Sequence, residues 1–345
     1  MTEIQDAFHA WSLAGAIVFA AAAAATTVMI VLLQPVLRQY ALARPNHRSS
    51  HNVPTPQGGG IAVIAVTIGT VAVALYALPI PARDAHHLAW VFAATLLLAI
   101  VGAIDDIRVL DAVPRLILQA IAVVAVVATL PAEMRILPML PRWAESALIV
   151  IGSVWFVNLV NFMDGIDWMT VAEVVPITAG LMLFGQLGAL PLHATLVALA
   201  LCGAMIGFAP FNRPVARLFL GDVGSLPIGL LLGWLLIQLA GNGHLTAALL
   251  LPLYYLADAT VTLLRRLAKR EAVMHAHRSH FYQRAIDNGF SVYQVVARVF
   301  VVNVGLVALA TATFLVPSHL FHAVLLAAGC VFIALLLRAF ARARK

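Results

Sequence analysis

Residues 88–110, LAWVFAATLLLAIVGAIDDIRVL, join a long uncharged run to a pair of adjacent carboxylates. No charged side chain occurs from 88 to 104, and Asp105 and Asp106 follow directly. A helix of about 20 apolar residues crosses the ~30 Å hydrocarbon layer of a bilayer. Each aspartate would cost ~2.5–3.5 kcal/mol at the centre of that layer. The stretch therefore predicts a membrane-spanning helix that ends with its acidic pair at the membrane boundary.

Apolar runs of similar length recur along the chain. The 345 residues are 63% hydrophobic and 10% charged, with a mean hydropathy of +0.98, whereas soluble domains carry about 25% charged residues. This composition excludes a water-soluble globule. We predict an all-α polytopic membrane protein, a single domain over residues 1–345, with eleven transmembrane helices or, as the alternative, ten. The predicted spans begin near residues 12, 58, 87, 113, 144, 168, 193, 226, 245, 294 and 320.

The basic residues indicate which side of the membrane each loop occupies. Alternating the loops between two sides leaves Arg83, Arg135 and Arg142 on one side and the other eighteen of the 21 Lys and Arg on the opposite side. Basic loops face the cytoplasm, so we predict a periplasmic N-terminus and a multi-pass protein of the bacterial inner membrane. The predicted cytoplasmic loops are about 38–57, 105–113, 162–168, 211–225 and 265–293.

The start of the chain and its cysteines narrow the class further. Residues 1–10 contain Glu3 and Asp6 but no Lys or Arg, whereas a secretory signal begins with a basic segment. We therefore expect the first apolar run to be a retained span. Cys202 and Cys330 lie inside apolar runs, which is typical of small core residues and not of a disulfide or a zinc site.

Polar residues gather where the predicted fifth span reaches the cytoplasm. The span ends in residues 158–167, NLVNFMDGID. At helical spacing Asn158, Asn161 and, if the helix continues, Asp164 and Asp167 share one stripe, on the same membrane side as the acidic pair. The alternative is an Asn-rich helix end followed by an Asp-Gly turn, and the acidic pair by itself could be two solvated loop acids.

The loop at 211–225, FNRPVARLFLGDVGS, adds a third acidic position to this face. Asp222 stands between Gly221 and Gly224, and Ser225 follows. Glycine lets backbone N–H groups approach a phosphate closely. The same string could equally be a helix N-cap and turn.

The longest predicted cytoplasmic loop is rich in histidine. Its segment 275–284, HAHRSHFYQR, contains three histidines and two arginines. His275, His277 and His280 with the nearby acids could form a zinc site, since zinc takes His and Cys ligands. The interpretation we favour is a cationic surface that donates hydrogen bonds to phosphate oxygens.

Two further features bear on the site. The first cytoplasmic loop ends in PTPQGGG, residues 54–60, entering a helix, and helix N-termini with glycine backbones suit anions; a plain connection between spans is the alternative. Asp258 lies inside the ninth predicted span, about two turns before Arg265. It is either a snorkelling ion pair or part of the site.

Together, five cytoplasmic stretches offer carboxylates, carboxamides, Gly-flanked turns, Arg and His. Mg²⁺ prefers one or two protein oxygens and completes its shell with water and substrate phosphates. Phosphoryl transfer depends mainly on alignment and charge neutralisation. These residues therefore predict a metal-dependent phosphoryl transferase, and its position at the membrane predicts that one substrate is a lipid.

The motifs resemble those of the polyprenyl-phosphate N-acetylhexosamine-1-phosphate transferases, glycosyltransferase family four. The resemblance covers nearly the whole chain, from the first loop to Tyr282, and rests on the order and spacing of five motifs. These are PTPQGGG, Asp105-Asp106, the string from Asn158 to Gly165, Gly221-Asp222-Val-Gly-Ser, and the loop from His277 to His280.

The resemblance implies a reaction and a set of site residues. A UDP-activated N-acetylhexosamine phosphate would be joined to undecaprenyl phosphate with release of UMP, with Mg²⁺ as cofactor and Mn²⁺ as its substitute. The implied partners are UDP-N-acetylhexosamine, undecaprenyl phosphate and the bilayer, without nucleic acid and with a homodimer left open. The implied residues are, for metal, Asn161 and Asp222; for catalysis, Asp105, Asp106, Asp164, His277 and His280; for substrate, Arg115, Asn158, Arg278, Gly221, Gly224 and Ser225.

Two departures from the family pattern bear on the sugar. The histidine loop reads HRSH where relatives carry three grouped histidines, and Trp168 stands where many relatives have glycine. The first loop also lacks the lysine pattern of the peptidoglycan branch. These details resemble the WbpL-like branch that initiates O-antigen, and they predict N-acetylglucosamine or a 6-deoxy-N-acetylhexosamine as the sugar.

Other functions remain as alternatives. Within the same reaction class, the phospho-N-acetylmuramoyl-pentapeptide transferase of peptidoglycan synthesis is the nearest. A CDP-alcohol phosphatidyltransferase would need an Asp-Gly-Xaa-Xaa-Ala-Arg string, which the sequence lacks. A transporter or lipid flippase would place its acids near the membrane midplane, whereas these acids cluster at one face.

Overall fold

The computed structural model of the chain describes residues 2–43, 54–77, 81–108, 110–271 and 277–343, with the backbone alone for residues 2–12. In these ranges two short strands, β1 (Leu42–Ala43) and β2 (Thr55–Pro56), pair antiparallel. The helices are α1 (Thr2–Tyr40), α2 (Gly59–Ala77), α3 (Ala82–Ile107), α4 (Ala112–Ala128), α5 (Arg142–Met163), α6 (Met169–Gln186), α7 (Leu192–Phe208), α8 (Asp222–Gly241), α9 (Leu245–Leu250), α10 (Leu253–Ala268), α11 (Phe281–Asp287), α12 (Val292–Ala312) and α13 (His319–Phe340).

Eight of these helices are long and apolar enough to cross a membrane: α1 from Leu13 onward, α2, α3, α5, α6, α8, α12 and α13. Helices α4 and α7 are apolar but shorter. The prediction of an all-α polytopic membrane protein is confirmed. Counting α1 from Leu13, a helix begins within five residues of every predicted span start. The predicted span near residue 245 differs from the others, because it is divided into α9 and α10.

The break between α9 and α10 has a local cause and a partner elsewhere. Pro252, which has no N–H group and cannot continue a helix, precedes α10. The first-turn N–H groups of α10 then need partners inside the bundle. Glu173 of α6, fully buried, accepts the backbone N–H of Tyr255, and Asn303 of α12 donates to Glu173 at 2.5 Å. No sequence pattern identified this carboxyl, which connects α6, α10 and α12.

Helix α8 lies at the centre of the bundle. Of its most apolar 18-residue window, 89% is buried, compared with 22% for the outer helices α1 and α13. It contacts α2, α3 and α5. A helix enclosed by protein on all sides presents only its ends to solvent, so its N-terminal residue, Asp222, is held in a fixed frame.

Three glycines allow the backbones around the start of α8 to meet. A Cβ on Gly102 of α3 would lie 2.1 Å from the carbonyl oxygen of Asp222. A Cβ on Gly60 of α2 would lie 2.2 Å from the Cα of Gly224. Backbone atoms cannot move aside as a flexible side chain can, so these positions accept only glycine without displacing α8.

This packing predicts a difference between two glycines of the same helix. We expect Gly60→Ala to lower the free energy of unfolding by about 1–3 kcal/mol, the usual cost of overpacking. Gly69→Ala is the matched control, because a Cβ at Gly69 has no neighbour within 4 Å. Heating each purified variant in detergent and measuring the folded fraction tests the prediction, and equal melting temperatures would contradict it.

Candidate active site

The N-terminus of α8 is where the predicted site residues meet. Asp106, in the last turn of α3, accepts the backbone N–H groups of Asp222 at 2.9 Å and of Val223 at 3.1 Å. First-turn N–H groups have no partner within their own helix, so Asp106 caps α8. The N-cap residue is Gly221, at φ +78°, where a Cβ would lie 2.5 Å from Asp106 Oδ2. Asp106 therefore fixes the position of Asp222.

Asp105 forms hydrogen bonds with different groups from those bonded to Asp106. Its Oδ1 accepts the backbone N–H of Leu110 at 2.7 Å, and its Oδ2 accepts a guanidinium N–H of Arg115 at 2.6 Å. The same nitrogen of Arg115 lies 3.8 Å from Asp222 Oδ2. The side chains of Arg115 and Asp105 are 22% and 6% exposed, so the ion pair is largely shielded from water. Arg115 thus connects two of the three carboxylates.

Asn161 joins the group from the last turn of α5. Its amide nitrogen donates to Asp222 Oδ1 at 2.8 Å and to the hydroxyl of Ser225 at 2.9 Å. The amide oxygen is then the group left to accept a hydrogen bond or bind a cation. The predicted metal residues, Asn161 and Asp222, are therefore neighbours.

The oxygen atoms around Asp222 are suitable ligands for a divalent cation. The charges of Asp105 and Asp106 both repel that of Asp222, while Arg115 contributes a single positive charge to this group. Among the described residues, no three His, Cys, Asp or Glu side chains form a closed metal cluster. Mg²⁺ does not need one, since it takes one or two protein oxygens and fills its shell with water and phosphate. The assignment of Mg²⁺ stays a prediction.

Asp164 lies in the turn after α5 and faces the same region. Thr170 donates a hydrogen bond to its Oδ1 at 2.5 Å. Burial, opposed by the hydrogen bond from the Thr170 hydroxyl and assisted by the charges of Asp106 and Asp167, raises the pKa of the Asp164 carboxyl to about 7. Asp164 can therefore exchange a proton near neutral pH. Its predicted catalytic role has a physical basis but stays a prediction.

The raised pKa of Asp164 predicts a pH-dependent stability. Because the folded pKa exceeds the usual value of 3.8, this group stabilises the fold fully only below about pH 4, and the contribution is lost as pH rises through about 7. Without divalent cations, we expect the melting temperature of the wild type to fall more between pH 5 and 8 than that of Asp164→Asn. Asp287→Asn, at an exposed acid, is the control. Parallel curves for all three proteins would contradict the prediction.

The histidine loop reaches the site from the side of α10 and α11. The rings of His277 and His280 stack with centroids 4.9 Å apart. Arg278 turns away and forms an ion pair with Asp287 at 3.4 Å. His275 lies outside the described residues. A zinc site built on these histidines has no support in the described ranges, where no three-ligand cluster occurs.

Two cavities flank the acidic group. A cavity of about 540 Å³ lies between α4, α5 and α10, with Arg115, Asn161, His277 and His280 at its polar end. The rest of its wall is mostly apolar, formed by Ala112, Leu116, Ile151, Val154, Trp155, Asn158, Phe162, Ala259 and Leu263. A smaller cavity of about 220 Å³ is polar, and its lining consists of Gln57, Asp106, Asp164, Gly165, Ile166, Asp167, Asn212, Phe219, Leu220, Gly221 and Asp222. Asp222 therefore separates the smaller cavity from the polar end of the larger one.

Two glycines of the first loop, Gly59 and Gly60, do not present their backbone N–H groups to an anion, contrary to the prediction. The N–H groups of Gly59 and Gly60 both donate at 2.9 Å, to the carbonyl oxygens of Phe219 and Leu220. The reason is that residues 54–60 pack against the 211–221 loop and bond to it. Residues 44–53 of the same loop lie outside the described residues. Gln57 bonds to the carbonyl oxygen of Asp106 at 2.7 Å, a contact that sequence reasoning missed.

Three predicted substrate residues have structural partners in the fold. Asn158 donates to Gln119 at 2.6 Å while lining the larger cavity. Gly224 packs against Gly60, and the buried Ser225 supports Asn161. Their direct contact with substrate stays a prediction, as it does for Gly221 and Arg278.

Trp168, which departs from the family pattern, occupies a backbone position that favours glycine. Its backbone has φ 62°, a left-handed conformation that favours glycine. The cost is offset by hydrogen bonds from its indole to the carbonyl oxygen of Ala209 at 2.7 Å and from its backbone N–H to Asn212 at 2.8 Å. Asn212, which sequence reasoning missed, lines the smaller cavity. Trp168 therefore holds Asn212 in place, although its own backbone adopts an unfavourable left-handed conformation.

Sequence comparisons with known proteins match the part of the chain that contains this site. The profile of glycosyl transferase family 4 matches residues 88–240, which include α3, α5 and the start of α8. The decaprenyl-phosphate N-acetylglucosaminephosphotransferase of Mycobacterium leprae (strain TN) is 28% identical over 313 residues, covering 80% of this chain and 77% of the relative. The probable undecaprenyl-phosphate N-acetylglucosaminyl 1-phosphate transferase of Bacillus subtilis (strain 168) is 24% identical over 279 residues, covering 76% and 75%.

A peptidoglycan enzyme matches over a shorter stretch. The phospho-N-acetylmuramoyl-pentapeptide-transferase of Psychrobacter sp. (strain PRwf-1) is 27% identical over 174 residues, or 45% of each chain. The names of the first two relatives include a polyprenyl phosphate and N-acetylglucosamine. The residues matched by the family profile include Asp105, Asp106, Asn161 and Asp222. This multi-pass membrane protein is therefore similar to glycosyl transferase family 4 over residues 88–240, and to the two N-acetylglucosamine enzymes over 80% and 76% of its length.

Proposed function

We propose that the protein transfers an N-acetylhexosamine 1-phosphate from a UDP-sugar to a polyprenyl phosphate, releasing UMP. One observation carries the proposal: the carboxylates of Asp105 and Asp222, together with the amide of Asn161, lie between an apolar cavity and a polar one. A lipid phosphate and a nucleotide sugar need these two environments on either side of one phosphate-binding centre. The names of the relatives support the same reaction.

The larger cavity suits the lipid substrate. It opens on one side, where Leu116 and Ile151 are 39% and 66% exposed, and these side chains match a hydrocarbon tail. At its polar end Arg115 can donate charge-assisted hydrogen bonds to phosphate oxygens. The phosphate would therefore stop beside Asp105 and Asp222 with its tail in the apolar part.

The smaller cavity suits the nucleotide. It is lined by residues of the turn after α5 and of the loop before α8, and Asn212 and Gln57 offer amide groups to the base and ribose. Bound Mg²⁺ would neutralise the pyrophosphate and polarise its oxygens, and Asp222 and Asn161 are the residues placed to hold it. The histidines line the larger cavity instead, so they would offset the charge of the acceptor phosphate.

The chemistry then needs little more than alignment. An oxygen of the lipid phosphate attacks the phosphorus that carries the sugar, a new P–O bond forms, and the bond to UMP breaks. Phosphate monoesters have a second pKa of about 6, so the attacking group needs no obligatory base. Asp105 holds Arg115 toward the attacking phosphate. Asp106 holds the backbone of Asp222 in place at the start of α8.

The sugar and the pathway are finer proposals. The alignments over 313 and 279 residues are with N-acetylglucosamine enzymes, whereas that with the muramoyl-pentapeptide enzyme covers 174, which favours N-acetylglucosamine. We propose N-acetylglucosamine or its 6-deoxy analogues as the sugar, undecaprenyl phosphate as the acceptor, the bacterial inner membrane as the location, and the start of O-antigen or related polysaccharide synthesis as the role.

The test uses purified protein with undecaprenyl phosphate, Mg²⁺ and a panel of UDP-sugars. We expect UDP-N-acetylglucosamine to yield UMP and a lipid-linked pyrophosphoryl sugar in equal amounts. EDTA should stop the reaction, and Mg²⁺ or Mn²⁺ should restore it. Preferential use of UDP-N-acetylmuramoyl pentapeptide would assign the peptidoglycan step instead. If no donor yields UMP while proteoliposomes move a solute, the transferase proposal fails.

A further inference from the structure

Asp258 is a fully buried carboxylate that the proposed chemistry leaves unused. It lies on α10, below the histidine loop, and an acid inside a membrane bundle is costly unless well paired. Its oxygens accept the backbone N–H groups of Phe281 at 2.9 Å and Tyr282 at 3.2 Å. Two hydroxyl groups also donate to it, from Tyr254 at 3.2 Å and Thr262 at 3.3 Å.

The fifth partner of Asp258 is a histidine ring. Nδ1 of His280 lies 3.3 Å from Asp258 Oδ1. His280 precedes α11, so the carboxylate that receives the first N–H groups of α11 also receives its imidazole. A carboxylate can only accept, so Nδ1 carries a proton in this arrangement. Nε2 is then the ring nitrogen left for a ligand.

The imidazole is also fixed by its neighbours. The His280 ring stacks between those of His277, with centroids 4.9 Å apart, and Tyr282, at 5.8 Å. His280 is 3% exposed, yet it lines the larger cavity with Arg115. It does not line the polar cavity. Its ligand is therefore expected in the cavity with the apolar wall.

We infer that Asp258 is a positioning residue that holds His280 with Nδ1 protonated, so that Nε2 meets the phosphate of the lipid substrate. The inference rests on the proposed function and deepens it, because it assigns the histidine to the acceptor phosphate and not to the nucleotide. A carboxylate behind a histidine fixes its tautomer and orientation, and loss of such a partner costs about 10–100-fold in the function of metal-bound histidines.

The first experiment is a double-mutant cycle with Asp258→Asn and His280→Gln. Each single change should raise the KM for polyprenyl phosphate or lower kcat by about 10–100-fold, with the KM for the UDP-sugar changed less than twofold. The double variant should be no worse than His280→Gln, because Asp258 acts through the ring. Multiplying losses would show that Asp258 only supports α11, and would overturn the inference. Asp287→Asn, at the far end of α11, is the matched control.

A second experiment does not need turnover. Nitrogen-15 NMR of histidine-labelled protein, with His280 assigned from the His280→Gln spectrum, should show protonated Nδ1 in the wild type and a tautomer mixture in Asp258→Asn. Added farnesyl phosphate, without donor, should shift the Nε2 signal of the wild type. An Nε2 chemical shift that does not change on addition of farnesyl phosphate would overturn the inference. This holds even if UMP release confirms the proposed transferase activity. If Asp258→Asn fails to fold, the wild-type spectrum still tests the inference, because an unprotonated Nδ1 on His280 would rule out the proposed hydrogen bond to Asp258.

Discussion

Asp222→Asn is expected to lower the rate of UMP release by about 10²–10³-fold, the usual cost of removing a preorganised electrostatic group. The change preserves shape and removes the charge that would hold the cation. We also expect a weaker affinity for Mn²⁺, measured by electron paramagnetic resonance in the absence of substrate. Because Asp106 contacts the backbone of residue 222 and not its side chain, the cap on α8 should survive.

The control for this prediction is Asp287→Asn, which removes an equal charge from the same membrane face. Its side chain is 55% exposed and pairs with Arg278, so its rate and its Mn²⁺ affinity should stay within about twofold of the wild type, as exposed ion pairs contribute little. A Mn²⁺ affinity for Asp222→Asn equal to that of the wild type would move the metal site elsewhere, whatever happened to the rate.

Arg115→Gln is expected to lower kcat/KM for polyprenyl phosphate by about 10–10²-fold, equivalent to a charge-assisted hydrogen bond of roughly 1.5–3 kcal/mol. The variant removes the donor at the polar end of the larger cavity and leaves the shielded Asp105 without its cation. The loss should appear mainly in the KM for the lipid, while the KM for the UDP-sugar changes little. Steady-state kinetics with each substrate varied in turn measures both.

Two variants distinguish the role of this charge from a general effect. Arg115→Lys keeps the positive charge but not the guanidinium, and should recover part of the activity. Arg298→Gln changes an exposed arginine on α12 and should leave both KM values unaltered. If Arg115→Gln raised the KM for the UDP-sugar instead, the two cavities would have been assigned to the wrong substrates.

The sequence predicted the fold well because its determinants are local. The uncharged runs and the basic loops locate the helices, and the break at Pro252 is the point where a single predicted span became two helices. What no pattern indicated is the buried Glu173, since its partners, Tyr255 and Asn303, lie far along the chain on other helices. Polar residues buried by tertiary contacts have no periodic signal.

For the site too, the sequence predicted some features and not others. Residue types and spacing were enough to predict that Asp105, Asn161 and Asp222 gather at one face. They could not show that Asp106 caps α8, or that the glycines of the first loop bond to protein carbonyls. Both depend on which backbone groups are left unpaired when helices from distant parts of the sequence meet.

Under the proposed function, the open side of the larger cavity is where the polyprenyl carrier enters from the membrane. A polyprenyl carrier can diffuse laterally to Arg115 without leaving the hydrocarbon, and only the part of its tail nearest the phosphate contacts α5, since the ten residues before Asn161 span about 15 Å. The relevant concentration is then a mole fraction in the membrane plane. Adding inert phospholipid at a constant amount of carrier should slow the enzyme through surface dilution, as adding water slows a soluble one.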